Sequence, residues 1–193
     1  MRQPIAISFR AIGGFSDDAF YRFCRDNRDL TFERNAAGQL LLIPNTGGKT
    51  GIRNAEITFQ LRAWNKVHKL GITFDSSTTF RLPDTSMRSP DAAWVSRERW
   101  EKLTAKEQEQ FPPLCPDFII ELRSRTDSLA GLQKKMLEWT KNGCRLGWLI
   151  DVKGQATHVY RPDRDVRKIA SFDTTLSGEE VLPNFTLDLR ELK

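Results

Sequence analysis

Two nearly uninterrupted apolar runs, DFIIEL at residues 117–122 and LGWLID at 146–151, narrow the folds open to this chain more than any other feature. A strand with one wet face alternates apolar and polar residues, whereas one that is apolar along its length must be covered on both faces. Between the two runs, Leu129, Leu132, Met136 and Trp139 recur at helical spacing within residues 127–142. Asp127 is placed to cap that helix and Gly143 to stop it. The runs are therefore expected to be central strands of a sheet with helices packed against it.

The rest of the chain supplies further helices and strands. Residues 16–28 open with a serine suited to capping and two acids suited to the positive end of a helix, followed by Phe20, Phe23 and Cys24 at helical spacing. Strands at 31–33 and 39–43 flank the turn-rich NAAG and read as a hairpin. GGKTG at 47–51 is not a phosphate loop, because the Walker pattern needs glycine at a position held by Ile43; it leads instead into a long helix over about 50–69. Extended segments follow near 72–75 and 79–82, and a third begins at Asp91. A polar helical excursion covers about 97–110, and HVYR and VRKIA add an antiparallel edge after LGWLID. The expected class is α/β (α+β), a single domain over 1–193 with its core at about 15–190 and a central mixed sheet flanked by helices.

Thirty Lys and Arg against 25 Asp and Glu give a net charge of +5, compatible with a polyanionic partner, but the cations are dispersed as on an ordinary solvated surface. Three widely spaced cysteines form neither a disulfide framework nor a CxxC site and read as buried thiols. The first residues lack an export pattern and no later run is long and apolar enough to span a bilayer, so a cytoplasmic protein without membrane contact is expected.

The chemistry-bearing residues sit at the ends of the buried strands. Asp91 opens one and Glu121 closes the next, and an ionised carboxylate beside a core needs a partner, a hydrogen bond or a metal. Two such groups, with a strand carbonyl such as that of Leu122, make the hard and incomplete oxygen shell that suits Mg²⁺ or Mn²⁺. On the following helix Lys135 borders the apolar face at roughly 80° from its centre, while Lys134 points nearly opposite. Lys135 is thus the candidate to orient a water or stabilise a pentavalent phosphate. Glu56 falls inside an arc of Ile52, Ala55, Phe59, Ala63 and Val67, where a carboxylate is unexpected, and is a fourth candidate. Each has an ordinary alternative: Asp91 as a turn cap, Glu121 paired with Arg123 or Arg125, Lys135 snorkelling, Glu56 at a boundary. The two histidines have no ligand partners near them, and no serine lies in a nucleophile elbow.

Taken together, GGKTGIRNAE, FDSSTTFRLPD, RSPDAAWVSRERW, CPDFIIELRSRTDSL, LQKKMLEW, NGCRLGWLIDV, VYRPD and LSGEEVLP cover nearly the whole chain. They resemble the bacterial restriction-endonuclease family of the Uma-two type, long catalogued as a domain of unknown function. The resemblance implies a PD-(D/E)XK nuclease fold, in which an aspartate, a second acid and a lysine surround a divalent metal. Asp91 in SPD matches the first acid and Glu121 in ELRS the second. Arg123 stands where the common pattern has lysine, and Lys135 in KKMLEW matches the place to which this subgroup moves it. ELRSRTDS and LPNF depart from the usual serine-proline and LPGF forms away from the ligands.

The leading expectation is therefore a Mg²⁺- or Mn²⁺-dependent endonuclease acting on DNA, a class that also admits a homodimer. A nuclease fold that binds nucleic acid while cutting poorly or not at all is the second reading. A self-associating structural domain, which would expose an apolar patch, is the third.

Overall fold

The computed structural model describes residues 5–193. Its elements run β1 Ile5–Ile7, a 3-10 turn Arg10–Ile12, α1 Asp17–Asp26, β2 Thr31–Arg34, β3 Leu40–Ile43, α2 Gly48–His68, β4 Gly71–Asp75, β5 Phe80–Arg81, β6 Met87–Arg88 and β7 Ala92–Ser96. There follow α3 Arg97–Glu101, α4 Ala105–Glu109, β8 Phe118–Leu122, α5 Leu129–Lys141, β9 Leu146–Asp151, β10 Ala156–Tyr160, β11 Arg167–Ile169, β12 Thr175–Ser177, β13 Thr186–Asp188 and a 3-10 turn Leu189–Leu192.

Six strands form the main sheet in the order β11-β10-β9-β8-β7-β4. DFIIEL and LGWLID become its parallel pair, β8 and β9, while every other neighbour in this sheet is antiparallel. Parallel strands cannot be joined by a hairpin, and α5 supplies the crossover. The pleat divides these strands cleanly between two cores. Ala92, Trp94, Phe118, Ile120, Leu122, Leu146, Trp148 and Ile150 meet Ile57, Leu61 and Trp64 of α2 on one face. Ala93, Val95, Ile119 and Leu149 meet Met136 and Trp139 of α5 on the other. Both faces are thus covered, which is why the sequence shows no alternation there. At Gly147 α5 comes so close that an added Cβ would lie 2.6 Å from Met136 Cε.

A second, antiparallel sheet has the order β1-β3-β2-β6-β5 and packs Phe32, Leu40 and Met87 with Phe20 of α1. The segment expected near 79–82 belongs here as β5, in a sheet separate from its sequence neighbour β4. The pair β12–β13 closes the α2-side core through Leu176, Phe185 and Leu187.

Three sequence expectations need correction. Ser128, rather than Asp127, caps α5, its hydroxyl accepting from Gly131 N; Asp127 instead accepts from Ser124 N in the preceding turn. The arc of α2 expected to face inward is the outward one: Ile52, Phe59 and Val67 are all exposed, and the buried stripe is Ile57, Leu61, Trp64 and Asn65. Apolar residues lie on both sides of this helix, so periodicity alone had two solutions, and the sheet selected the one carrying Trp64, which packs edge-on to Trp94 and tilted against Phe185. Finally, Cys115 and Cys144 are buried thiols as expected, but Cys24 is only partly covered.

Candidate active site

Pairing of β7 with β8 sets Ala92 opposite Ile120, so Asp91 at the mouth of β7 lies beside the end of β8. Asp91 Oδ2 accepts from the backbone N–H of Leu122 at 2.7 Å, and Oδ1 accepts from Asn54 Nδ2 at 3.1 Å. A carboxylate at this point therefore ties the end of β8 to α2. One residue before Leu122, on the α5 face shared with Ile119, Glu121 accepts from the Trp139 indole at 2.9 Å and pairs with Lys135 Nζ at 2.9 Å.

Lys135 comes from the border of α5, where 100° per residue turns it toward the sheet and leaves Lys134 exposed. Its ammonium has three acceptors, each at 2.9 Å: Glu121 Oε1, Glu33 Oε1 and the carbonyl of Ser89. An ammonium has three protons to donate, so Nζ is fully engaged and held in one place. Glu33, buried on β2 of the second sheet, also accepts from Ser89 N at 3.1 Å and from Arg88 at 2.8 Å. Arg88 in turn reaches Glu138 at 2.7 Å. Charge thus joins β2 and β6 of the second sheet to α5, beside the apolar contacts that α5 makes with the main sheet.

Electrostatics separates the acids into two kinds. Burial pushes the Glu121 carboxyl up; Lys135 pulls it back, Asp91 and Glu33 push it further, and it stands at about 7. Burial likewise raises Asp91, against the pull of its Leu122 hydrogen bond and of Lys135. Glu33 is as deeply buried, yet Lys135 and Arg88 outweigh the lost hydration and hold it below the usual carboxylate range. Burial also works against the Lys135 ammonium, but Glu121 and Glu33 overcome it and raise its pKa. Two acids, Asp91 and Glu121, are left under-compensated.

The structure brings Asp91, Glu121 and Lys135 together and places Glu56 elsewhere. Asn54 and Glu56 are about 200° apart on α2, so only one can turn to β7; it is Asn54, and Glu56 Oε1 accepts from Gln60 instead. Arg123, at the lysine position of the common pattern, points to Asp151 Oδ2 at 2.8 Å. Sequence reasoning missed Glu33, Ser89, Arg88 and Asn54. Arg88 immediately before SPD was a usable sign, since a cation entering a buried strand implies a buried anion; Glu33 in TFER had no such mark.

Among the described residues no three His, Cys, Asp or Glu side chains form a closed metal cage, and no helix is long and apolar enough to cross a membrane. A cage is not what Mg²⁺ asks for: it keeps several waters and takes one or two carboxylates. One further atom fits a ligand at this point, because Asn54 Oδ1, on the amide that binds Asp91, is buried without a hydrogen-bond partner.

Comparison with known proteins bears on the fold and the family. A crystal structure from Anabaena variabilis ATCC 29413, described as "a putative nuclease belonging to DUF820", superposes with a TM-score of 0.71 at 22% identity, covering 84% of this chain and 89% of that one. At that identity the likeness speaks for the fold. No curated protein matches the sequence. The Uma2 family, described as "Putative restriction endonuclease", matches residues 17–190. That span takes in Asp91, Glu121 and Lys135 together with Glu33 and Asn54, and the chain belongs to this nuclease family.

Proposed function

We propose that this protein hydrolyses phosphodiester bonds of DNA with Mg²⁺ or Mn²⁺ held by Asp91 and Glu121. The observation that carries the reading is an imbalance of charge: four buried or half-buried carboxylates, Asp91, Glu121, Glu33 and Glu138, face only two cations, Lys135 and Arg88. The two acids whose pKa burial raises, and which these cations leave under-compensated, are the pair beside the family's expected metal position. A divalent ion matches that deficit in sign and size, and the donor set of carboxylates, an amide oxygen and strand carbonyls is hard, as Mg²⁺ requires.

Bound there, the ion would polarise a phosphoryl oxygen and lower the pKa of an attacking water. The chain's own groups do the rest. Leu122 N and Asn54 fix the rotamer of Asp91, and the Trp139 indole fixes Glu121. Glu33 and the Ser89 carbonyl hold Lys135 Nζ by two contacts while its third, to Glu121, is the one that can be exchanged. With Glu121 engaged as a metal ligand, that third proton would be available to orient a water or to meet negative charge on the phosphorus oxygens, where a positioned ammonium acts most strongly.

The test is incubation of purified protein with plasmid and linear DNA under Mg²⁺, Mn²⁺ or chelator. Cutting is expected with either metal and none with chelator. Asp91→Ala and Lys135→Ala should each lower the rate by about 10²-fold or more, and Lys134→Ala should not. Equal cutting by the wild type and both site variants would remove the assignment. DNA binding without cutting under any metal would favour a nuclease fold that has become a binding protein.

A further inference from the structure

The outer face of α2 carries Ile52, Phe59 and Val67, which are 72%, 65% and 77% exposed. At 100° per residue these three, with Ala55 and Ala63, lie within about 80° of the direction of Phe59, so they form one stripe along roughly 22 Å of helix. The opposite face of α2 is already spent on the sheet through Ile57, Leu61 and Trp64. A surface helix normally turns charge outward; this one shows solvent three large apolar side chains, with Arg62 about 60° to one side of Phe59 and Glu56 about 60° to the other, inside the arc that ends at Val67.

We propose that this stripe is a homodimer seam, on which a second copy of the chain packs α2 against α2 in antiparallel order about a dyad at Phe59. The sequence of the stripe is nearly the same read in either direction: large, alanine, phenylalanine, alanine, large. A dyad at Phe59 sets Ala55 level with Ala63 of the partner subunit, and Ile52 level with Val67 of the partner subunit to within one residue's rise of 1.5 Å. The two alanines leave room for both phenyl rings at the centre, where a large side chain would hold the helices apart. The stem of Lys66, about 20° from the centre line, covers Ile52 of the partner subunit with its charge in water. Arg62 and Glu56 form a polar rim.

Area agrees with this occupant. Three side chains at these exposures, with the alanines and the lysine stem, offer about 400 Å² of apolar surface, at the scale of the largest patch a monomer leaves uncovered. Two copies bury roughly 800 Å², and the rim brings the total to the ~1,000 Å² at which specific association begins. The seam is formed by α2 alone and stands whether or not the protein cuts DNA.

The experiment is light scattering with size-exclusion chromatography of the full chain, with oxidative cross-linking. Wild type should run at twice the chain mass of 22.2 kDa at micromolar concentration and above. Phe59→Arg should halve the mass at every concentration with an unchanged circular-dichroism spectrum, since the side chain it replaces touches no core. Phe59→Cys should cross-link to a covalent dimer. Ile52→Cys should not, because the dyad puts two copies of that position about 21 Å apart, far beyond disulfide reach. A monomeric wild type, a dimer that survives Phe59→Arg, or efficient cross-linking at position 52 would each overturn the proposal.

Discussion

Replacing Glu121 by Gln should make the metal-free protein more stable at pH 8, although it deletes a charge from an ion pair. Glu121 Oε1 touches both Lys135 and Trp139, so inspection of contacts alone predicts a loss. The carboxyl nevertheless stands at about 7 against an ordinary 4.5, because burial and the charges of Asp91 and Glu33 outweigh Lys135. A folded pKa above the unfolded one means that stability is fully present below the unfolded value and is lost as pH rises through the folded one. At 1.36 kcal/mol per unit, the ionised Glu121 costs the fold about 3 kcal/mol by pH 8. Gln keeps an oxygen for the indole of Trp139 and removes that cost. Chains of this size move about 2–4 °C per kcal/mol, so the variant should melt roughly 6–12 °C above wild type at pH 8, and level with it at pH 4.5. Denaturant unfolding of both proteins across pH 4.5–8 in chelator measures the difference. Saturating Mg²⁺ should then raise wild type and leave Glu121→Gln where it was. A variant no more stable than wild type at pH 8, or a gap that persists at pH 4.5, would refute the reasoning.

Two other substitutions act in the opposite direction. Glu33→Gln removes an anion that Lys135 and Arg88 hold below its ordinary pKa, so it should cost about 3 kcal/mol at neutral pH; because stability from a depressed carboxyl is lost as pH falls, the deficit should shrink below about pH 4, and urea titrations at pH 7 and 3.5 check it. Arg123→Ala strips the partner from buried Asp151 and should cost roughly 3 kcal/mol of stability, yet leave the cutting rate of the folded protein unchanged, whereas a role at the metal would lower that rate; single-turnover assays below the melting range separate the two.

The legible parts of this molecule are those in which one residue type admits one environment. DFIIEL and LGWLID could only be strands covered twice, and they became the parallel centre of the sheet. Lys135 could be separated from Lys134 because α5 has one apolar face, and a rotation of 100° decides which lysine meets it. The long helix α2 defeated the same reasoning because it is apolar on two sides. Ile52, Phe59 and Val67 made as good an inner face on paper as Ile57, Leu61 and Trp64, and choosing it put Glu56 toward the site in place of Asn54. Nothing within twenty-one residues can rank two stripes of similar hydrophobicity; what ranks them is the shape of the opposing sheet, whose Trp94 and Phe118 lie far along the chain.

Glu33 was hidden for a different reason, and that reason bears on how the site is built. It lies on a short strand of the second sheet, 102 residues from the lysine it serves, and in TFER it stands between Phe32 and Arg34 with nothing to mark it as paired to α5. A buried acid there is costly until Lys135 and Arg88 arrive from α5 and β6, so the ion pairs that position the lysine form only when both sheets have docked. Lys135 gains from this arrangement a property that Asp91 and Glu121 alone cannot give it. With only the rising acids as partners, its ammonium would move with whichever of them bound a cation. Anchored on Glu33 and the Ser89 carbonyl, it would stay in place were Glu121 to change partner, as the proposed role at a reacting phosphate requires.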